Sequence, residues 1–233
     1  MESMKNILRL SGLGYLVIFL TGFFSNFYVL ENLFVLGNAE ATLNNIIENE
    51  MLFRYGIAGF ILMVIFDLLL AWTFYILFRQ VSDKLSLLSS WLRLVNAAIF
   101  GVALFKLINV LQIITDSNYK NIFDKNIKEA QIMISYLDFN NIWLIGLLFF
   151  GLHLLLLGYL IYKSKFIPKF IGILLFIAGL GYLVDSFAHF LLANYDSYKE
   201  IFELIVILPG VIGELSFTIW LLINGFFIRK KNT

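Results

Sequence analysis

Four residues able to do chemistry interrupt long apolar runs: Asp185, Ser186 and His189 in GLGYLVDSFAHFLL, and Glu214 in PGVIGELSFTIWLL. A charge at membrane depth is costly unless it is paired, protonated or hydrated, so such residues point to function or to specific helix contacts. Asp185 and His189 are four apart and share one helical face. Together with His153 in FFGLHLLLLG and with Glu214 they supply two imidazoles and two carboxylates, a donor set that suits a divalent metal. That set could complete a tetrahedral zinc site, and two histidines with one carboxylate would suit non-haem iron. A hydrolase built on it would use metal-bound water, Asp185 or Glu214 as base and Ser186 as oxyanion donor. Only the Asp185–His189 step is local, so the rest depends on tertiary convergence. Two other readings use the same residues: a proton-coupled or small-ligand site, and a metal-free network of hydrogen bonds and ion pairs. With Arg54, Lys106 and Asn109 they outline a polar pocket open toward the exterior.

A second pair lies deeper in the apolar text. Asp67 is in MVIFDLLLAW and Arg93 in SSWLRLVNAAIF, on consecutive segments that run in opposite directions. The two are expected to meet, with some snorkelling of the arginine stem. The simplest role is a buried pair that fixes helix packing, needed for specificity more than for net stability. A gating or substrate contact is the alternative. Asn96, one turn beyond Arg93, could extend the network.

The elements that position these residues are membrane spans. Hydrophobic residues make up 61% of the chain and charged ones 14%, with a mean hydropathy of +0.88. A soluble domain carries about 25% charged residues, which excludes an ordinary cytosolic globule. The net charge of +1 argues against a nucleic-acid partner, and the absence of cysteine excludes disulfides and thiolate chemistry. Six segments reach the ~20 apolar residues that a spanning helix needs, at roughly 10–30, 54–78, 86–112, 141–161, 168–191 and 203–227. The first has no small-residue cleavage site and reads as a retained helix. The predicted fold is an all-α, polytopic transmembrane bundle in one domain, without an internal repeat.

Lys and Arg alternate between the connections. Lys5 and Arg9, Arg79 and Lys84, Lys163, Lys165 and Lys169, and Arg229, Lys230 and Lys231 all fall on one side. The first outer loop, with Glu31, Glu40, Glu48 and Glu50, has no basic residue before Arg54. The positive-inside rule then puts both termini in the cytoplasm, as six spans require. The outer segments 38–53 and 118–137 read as short amphipathic helices, the first capped by Asn38 or Thr42. Gly172, Gly179, Gly181, Gly210 and Gly213, with Gly12, Gly14 and Gly22, permit close helix approach. Trp72, Trp91, Trp143 and Trp220 read as interface anchors or packing residues. Pro168 is expected at the first position of the fifth helix, and Pro209 as a kink near Glu214.

Two resemblances follow. Membrane ceramidases and adiponectin-receptor-like proteins pair seven spans with a Ser/Asp/three-His set. Six spans and two histidines make that likeness partial, and Glu214 would have to stand in for the third histidine. Over nearly its whole length, the chain resembles the uncharacterised bacterial multi-pass membrane family of domain of unknown function 4386. The resemblance is carried by Gly37–Asn45, NEMLFR, LSSWLRLVN, FFGLHLLLLGYL, PKFIGILLFIAGLGYLVDS and ELSFTIWLLING. It implies a multi-pass protein of the bacterial cytoplasmic membrane and no particular activity. The functions open at this level are a protein that binds or moves a small ligand or ion, an intramembrane and metal-dependent lipid hydrolase, and a membrane scaffold, each in contact with membrane lipid.

Overall fold

A computed structural model describes residues 2–116 and 123–226. Lys120 and Ile122 of the second outer loop, and Arg229, Lys230 and Lys231, lie outside the described residues. The described residues are mostly helical, with no strand among them. Helix α1 (Glu2–Phe23) continues through a π-helical segment, Phe24–Leu30, to Leu33. It is followed by α2 (Ala39–Glu48), α3 (Glu50–Phe78), α4 (Asp83–Thr115), α5 (Lys125–Lys163), α6 (Lys169–Leu191), a 3-10 turn (Tyr195–Ser197) and α7 (Lys199–Phe226). Six of these elements, α1 and α3 to α7, are long and apolar enough to cross a membrane, the first of them over Met4–Leu33.

Two boundaries differ from the sequence pattern. The fourth span, expected to begin near 141, belongs to a 39-residue helix that begins at Lys125. Residues 125–140 contain neither glycine nor proline, so nothing breaks the hydrogen-bond ladder. At 1.5 Å per residue α5 reaches ~58 Å, nearly twice a ~30 Å hydrocarbon core. From Lys125 onward, the amphipathic stretch expected to be a separate outer helix is therefore the first turns of α5. Pro168 is the N-cap of α6, one position before the helix, with extended ψ of 129°.

The chain divides into two compact units. The first comprises Met1–Leu16, Phe66–Ala97 and Leu144–Thr233, the second Val17–Ile65 and Ala98–Trp143. In the second unit, Asn38 caps α2 by accepting a hydrogen bond from the Ala41 N–H at 2.9 Å. Gly37, at φ +78°, makes the left-handed turn before it. Glu40 accepts a hydrogen bond from Lys125 of α5, and that bond with the lysine charge holds the Glu40 carboxyl below the usual carboxylate range. Trp143 stacks on Phe100 with ring centroids 3.6 Å apart, and Phe34 on Tyr136 at 4.1 Å.

In the first unit, α5 and α6 touch backbone to backbone. A methyl group on Gly158 would come within 2.6 Å of the Gly172 carbonyl oxygen, and one on Gly179 within 2.7 Å of the Gly151 carbonyl oxygen. Both helices carry the glycines seven residues apart, so on each helix the same face lacks a side chain at the two points where the backbones meet. On α7, Pro209 has no N–H for the carbonyl of Ile205 one turn earlier. That carbonyl faces Gly181 of α6, where a methyl group would lie 2.6 Å from it. Arg9 of α1 donates to the Gly225 carbonyl at 2.7 Å and lies over the Phe226 ring.

Candidate functional site

The polar heart of the first unit is set by a run on α4. Ser86, Ser89, Ser90 and Arg93 fall at helical spacing i, i+3, i+4 and i+7, which puts them on one face. Two of the serines anchor that face to α3: Ser86 donates to the Tyr75 carbonyl at 3.1 Å, and Ser90 to the Ala71 carbonyl at 2.8 Å. Ser89 turns to α5, donating to the His153 carbonyl at 3.4 Å. Arg93, one turn on, is then carried to the centre of the unit, where it is 1% exposed.

The guanidinium is held on several sides. One terminal nitrogen, Nη2, donates to Asp67 Oδ1 at 2.5 Å, and the other, Nη1, contacts His153 Nε2 at 3.1 Å. The rings of Tyr15, Phe74 and Phe150 lie 5.1, 5.6 and 5.4 Å from its central carbon. Cation–π attraction of this kind is strongest where the cation is desolvated. A guanidinium only donates, so His153 Nε2 must accept. The imidazole proton therefore sits on Nδ1, 2.9 Å from both the Ser89 carbonyl and the Ser89 hydroxyl oxygen. The result is a chain centred on Arg93, which donates to Asp67 on one side and to His153 on the other, with His153 donating on to Ser89, all four residues 3% exposed or less.

The chain leaves hydrogen-bonding capacity over. Arg93 Nε, the Tyr15 hydroxyl and both amide atoms of Asn96 are buried without a hydrogen-bond partner. Glu214 of α7 is half-buried, accepts a long hydrogen bond of 3.4 Å from the Tyr182 hydroxyl, and interacts electrostatically with Arg93 and Asp67. The Tyr15 hydroxyl lies within reach of both Arg93 and Glu214.

Asp185 forms a separate arrangement. It accepts a hydrogen bond at 2.7 Å from the hydroxyl of Tyr195, which lies in the α6–α7 connection. Burial, and then this hydrogen bond, push the Tyr195 phenol above its ordinary value. His189 packs edge-on against the Tyr195 ring, with centroids 4.7 Å apart. Ser186 is fully buried, its hydroxyl unpartnered.

The sequence-level grouping is thus redrawn. Among the described residues no three His, Asp or Glu side chains are placed to hold a metal ion. The set of His153, His189, Asp185 and Glu214 is not assembled because His153 has both ring nitrogens engaged, by Ser89 and Arg93, while Asp185 and Glu214 face different tyrosines. Arg54 and Lys106 belong to the second unit. There Arg54 pairs with Glu50 one turn earlier, and Lys106 with Asp138 of α5, both at 2.7 Å. Sequence reasoning missed the serine face and the tyrosines. The spacing of Ser86, Ser89, Ser90 and Arg93 could have shown the first, whereas nothing local couples Asp185 to Tyr195 or Arg93 to Tyr15.

With this geometry in hand, comparison with known proteins gives the class. Residues 10–225 match the family model described as Domain of unknown function (DUF4386), and the chain belongs to that family. An uncharacterized protein of Archaeoglobus fulgidus is 35% identical over 171 residues, covering 73% of this chain and 84% of its own length. No solved structure matches. The protein is a membrane-type helical member of its family, with an arginine-centred polar cluster inside one of its two units.

Proposed function

We propose that this protein binds or moves a small polar ligand or ion at the Arg93 cluster, within the membrane interior. One observation carries this reading: a fully buried guanidinium keeps an unpartnered Nε–H in a cluster that also holds a buried tyrosine hydroxyl and a half-buried glutamate, both of which interact with it. Leaving a buried donor or acceptor unsatisfied costs about 1–3 kcal/mol. In lipid no water offsets that cost from outside, and buried ionisable residues mark substrate or ion pathways. Asp67 and His153 fix the guanidinium plane, Nε and the Tyr15 hydroxyl supply donors, and Glu214 supplies a carboxylate that can accept. The basic connections support a cytoplasmic location for both termini, in a cytoplasmic membrane.

The test is ligand-dependent stabilisation. Purified protein in nanodiscs is heated with a panel of small anions, cations and carboxylic acids, alongside Arg93→Lys and Glu214→Gln. A ligand that raises the melting temperature of the wild type and not of either variant supports the site. A second reading, a purely structural lock, is favoured by the fact that both terminal arms of the guanidinium end on protein groups. Stabilisation by nothing in the panel, or equally in all three proteins, would leave the lock standing and the binding reading refuted.

A further inference from the structure

The geometry points to a second site: the α5–α6 hairpin binds an anionic glycerophospholipid, its phosphate at Lys163, Lys165 and Lys169 and an acyl chain in the groove beside Gly158 and Gly172. Two recesses flank the turn between the helices. One, of about 580 Å³, is lined by Gln80, Ser82, Tyr159, Lys163 and Lys165 among others. The other, of about 700 Å³, is lined by Tyr162, Ser164 and all three lysines, with Ile167 and Pro168. Neither lining contains a carboxylate. None of the three lysines is in an ion pair among the described residues, whereas Lys106, Lys125 and Lys199 are. Asp83, at the start of α4, accepts a hydrogen bond from the Tyr75 hydroxyl and lines neither recess.

Below the lysines runs an apolar groove of about 200 Å³, formed by Gly158, Tyr159, Tyr162, Gly172, Ile173, Phe176 and Ile177. It exists because the two glycines bring the helix backbones together and place no side chain in the cleft. Groove and recesses share walls: Tyr159 lines the first recess and the groove, Tyr162 the second recess and the groove. The lysines are held at this junction, Lys163 over the Tyr159 ring at 5.7 Å and Lys169 over Tyr162 at 5.2 Å. Three unpaired cations above an apolar slot match an anionic headgroup above a hydrocarbon chain. A soluble phosphate would use only the upper half. Basic pockets between membrane helices recognise lipid headgroups on these terms. This site is independent of the Arg93 reading and stands or falls without it.

The test is lipid binding by native mass spectrometry of the full chain released from detergent, titrated with phosphatidylglycerol, phosphatidylcholine of the same chains, or inorganic phosphate. Wild-type protein should prefer phosphatidylglycerol over phosphatidylcholine. Lys163→Gln/Lys165→Gln/Lys169→Gln should lose that preference, by about fivefold per lysine. The corresponding Lys→Arg triple variant should keep it, and Lys199→Gln should leave it unchanged. Ile173→Trp, which fills the groove and leaves the lysines in place, should weaken phosphatidylglycerol binding. An unchanged preference in the folded glutamine variant overturns the site. Inorganic phosphate binding as tightly as the lipid, or unaltered lipid binding by Ile173→Trp, overturns the lipid assignment.

Discussion

The ion pair of Asp67 and Arg93 gives the sharpest energetic prediction. Arg93→Met keeps much of the side-chain volume and removes the charge. It strands Asp67, 3% exposed, with no cation beside it. Breaking a buried pair from one side costs about 3–5 kcal/mol. The lost hydrogen bond to His153 adds about 1 kcal/mol. Loss of the contacts to Tyr15, Phe74 and Phe150 adds about 1–2 kcal/mol in total. The single variant should therefore lose roughly 5–8 kcal/mol, a large share of the ~5–15 kcal/mol that holds a typical domain together. Asp67→Leu should cost less, about 3–4 kcal/mol, because Arg93 keeps His153 and the three rings. The double variant leaves no stranded charge and should be more stable than Arg93→Met, giving a coupling of at least about 3 kcal/mol. Unfolding in mixed micelles by SDS titration, followed by tryptophan fluorescence, measures all four proteins. Additive single costs, or a loss below about 1 kcal/mol for Arg93→Met, would show that the pair does not hold the cluster.

Three further outcomes follow from the same geometry. Gly158→Ala forces a methyl group against the backbone of Gly172 and Phe176, so the helices must separate; a loss of about 1–3 kcal/mol is expected in the same SDS assay. Gly101→Ala, with no atom within 4 Å, should instead be neutral or stabilising by about 0.5–1 kcal/mol, and equal effects at the two positions would refute the packing argument. Asn38→Ala removes the acceptor for the Ala41 N–H and should cost α2 about 1 kcal/mol, read as faster amide exchange over Ala39–Glu48. The depressed Glu40 carboxyl means the tether to Lys125 is intact at neutral pH and is lost as pH falls through the folded-state value, below the ordinary carboxylate range. Because the chain lacks cysteine, a single spin label at Ile47→Cys can report α2 mobility. Mobility should rise on acidification, and Glu40→Gln should show the high mobility at every pH.

Much of the architecture was legible in the residues alone. A span is a local property: about twenty apolar residues must satisfy their own backbone hydrogen bonds within the membrane, so the six runs announce themselves without knowledge of their neighbours. Helix faces are local too, which is why Asp185 with His189, or Ser86 with Ser90 and Arg93, can be grouped by spacing. The backbone decided where continuous helices began, and Lys125 shows the limit: hydropathy placed a membrane entry near 141, but nothing between 125 and 140 could end a helix.

The rotation of one helix against another was not legible, because periodicity gives a residue's angle about its own axis and nothing about the axis facing it. Tertiary packing therefore chose the partners. Backbone contact at Gly151 with Gly179 and Gly158 with Gly172 fixes how α5 meets α6. The serine face of α4 carries Arg93 to Asp67 and His153. Asp185, equally conspicuous in the sequence, goes instead to Tyr195. Composition and spacing supplied the charges inside the membrane-type helices. Only the close approach of particular helix faces decided which became an ion-paired, aromatic-walled cluster and which a single hydrogen bond at a helix end.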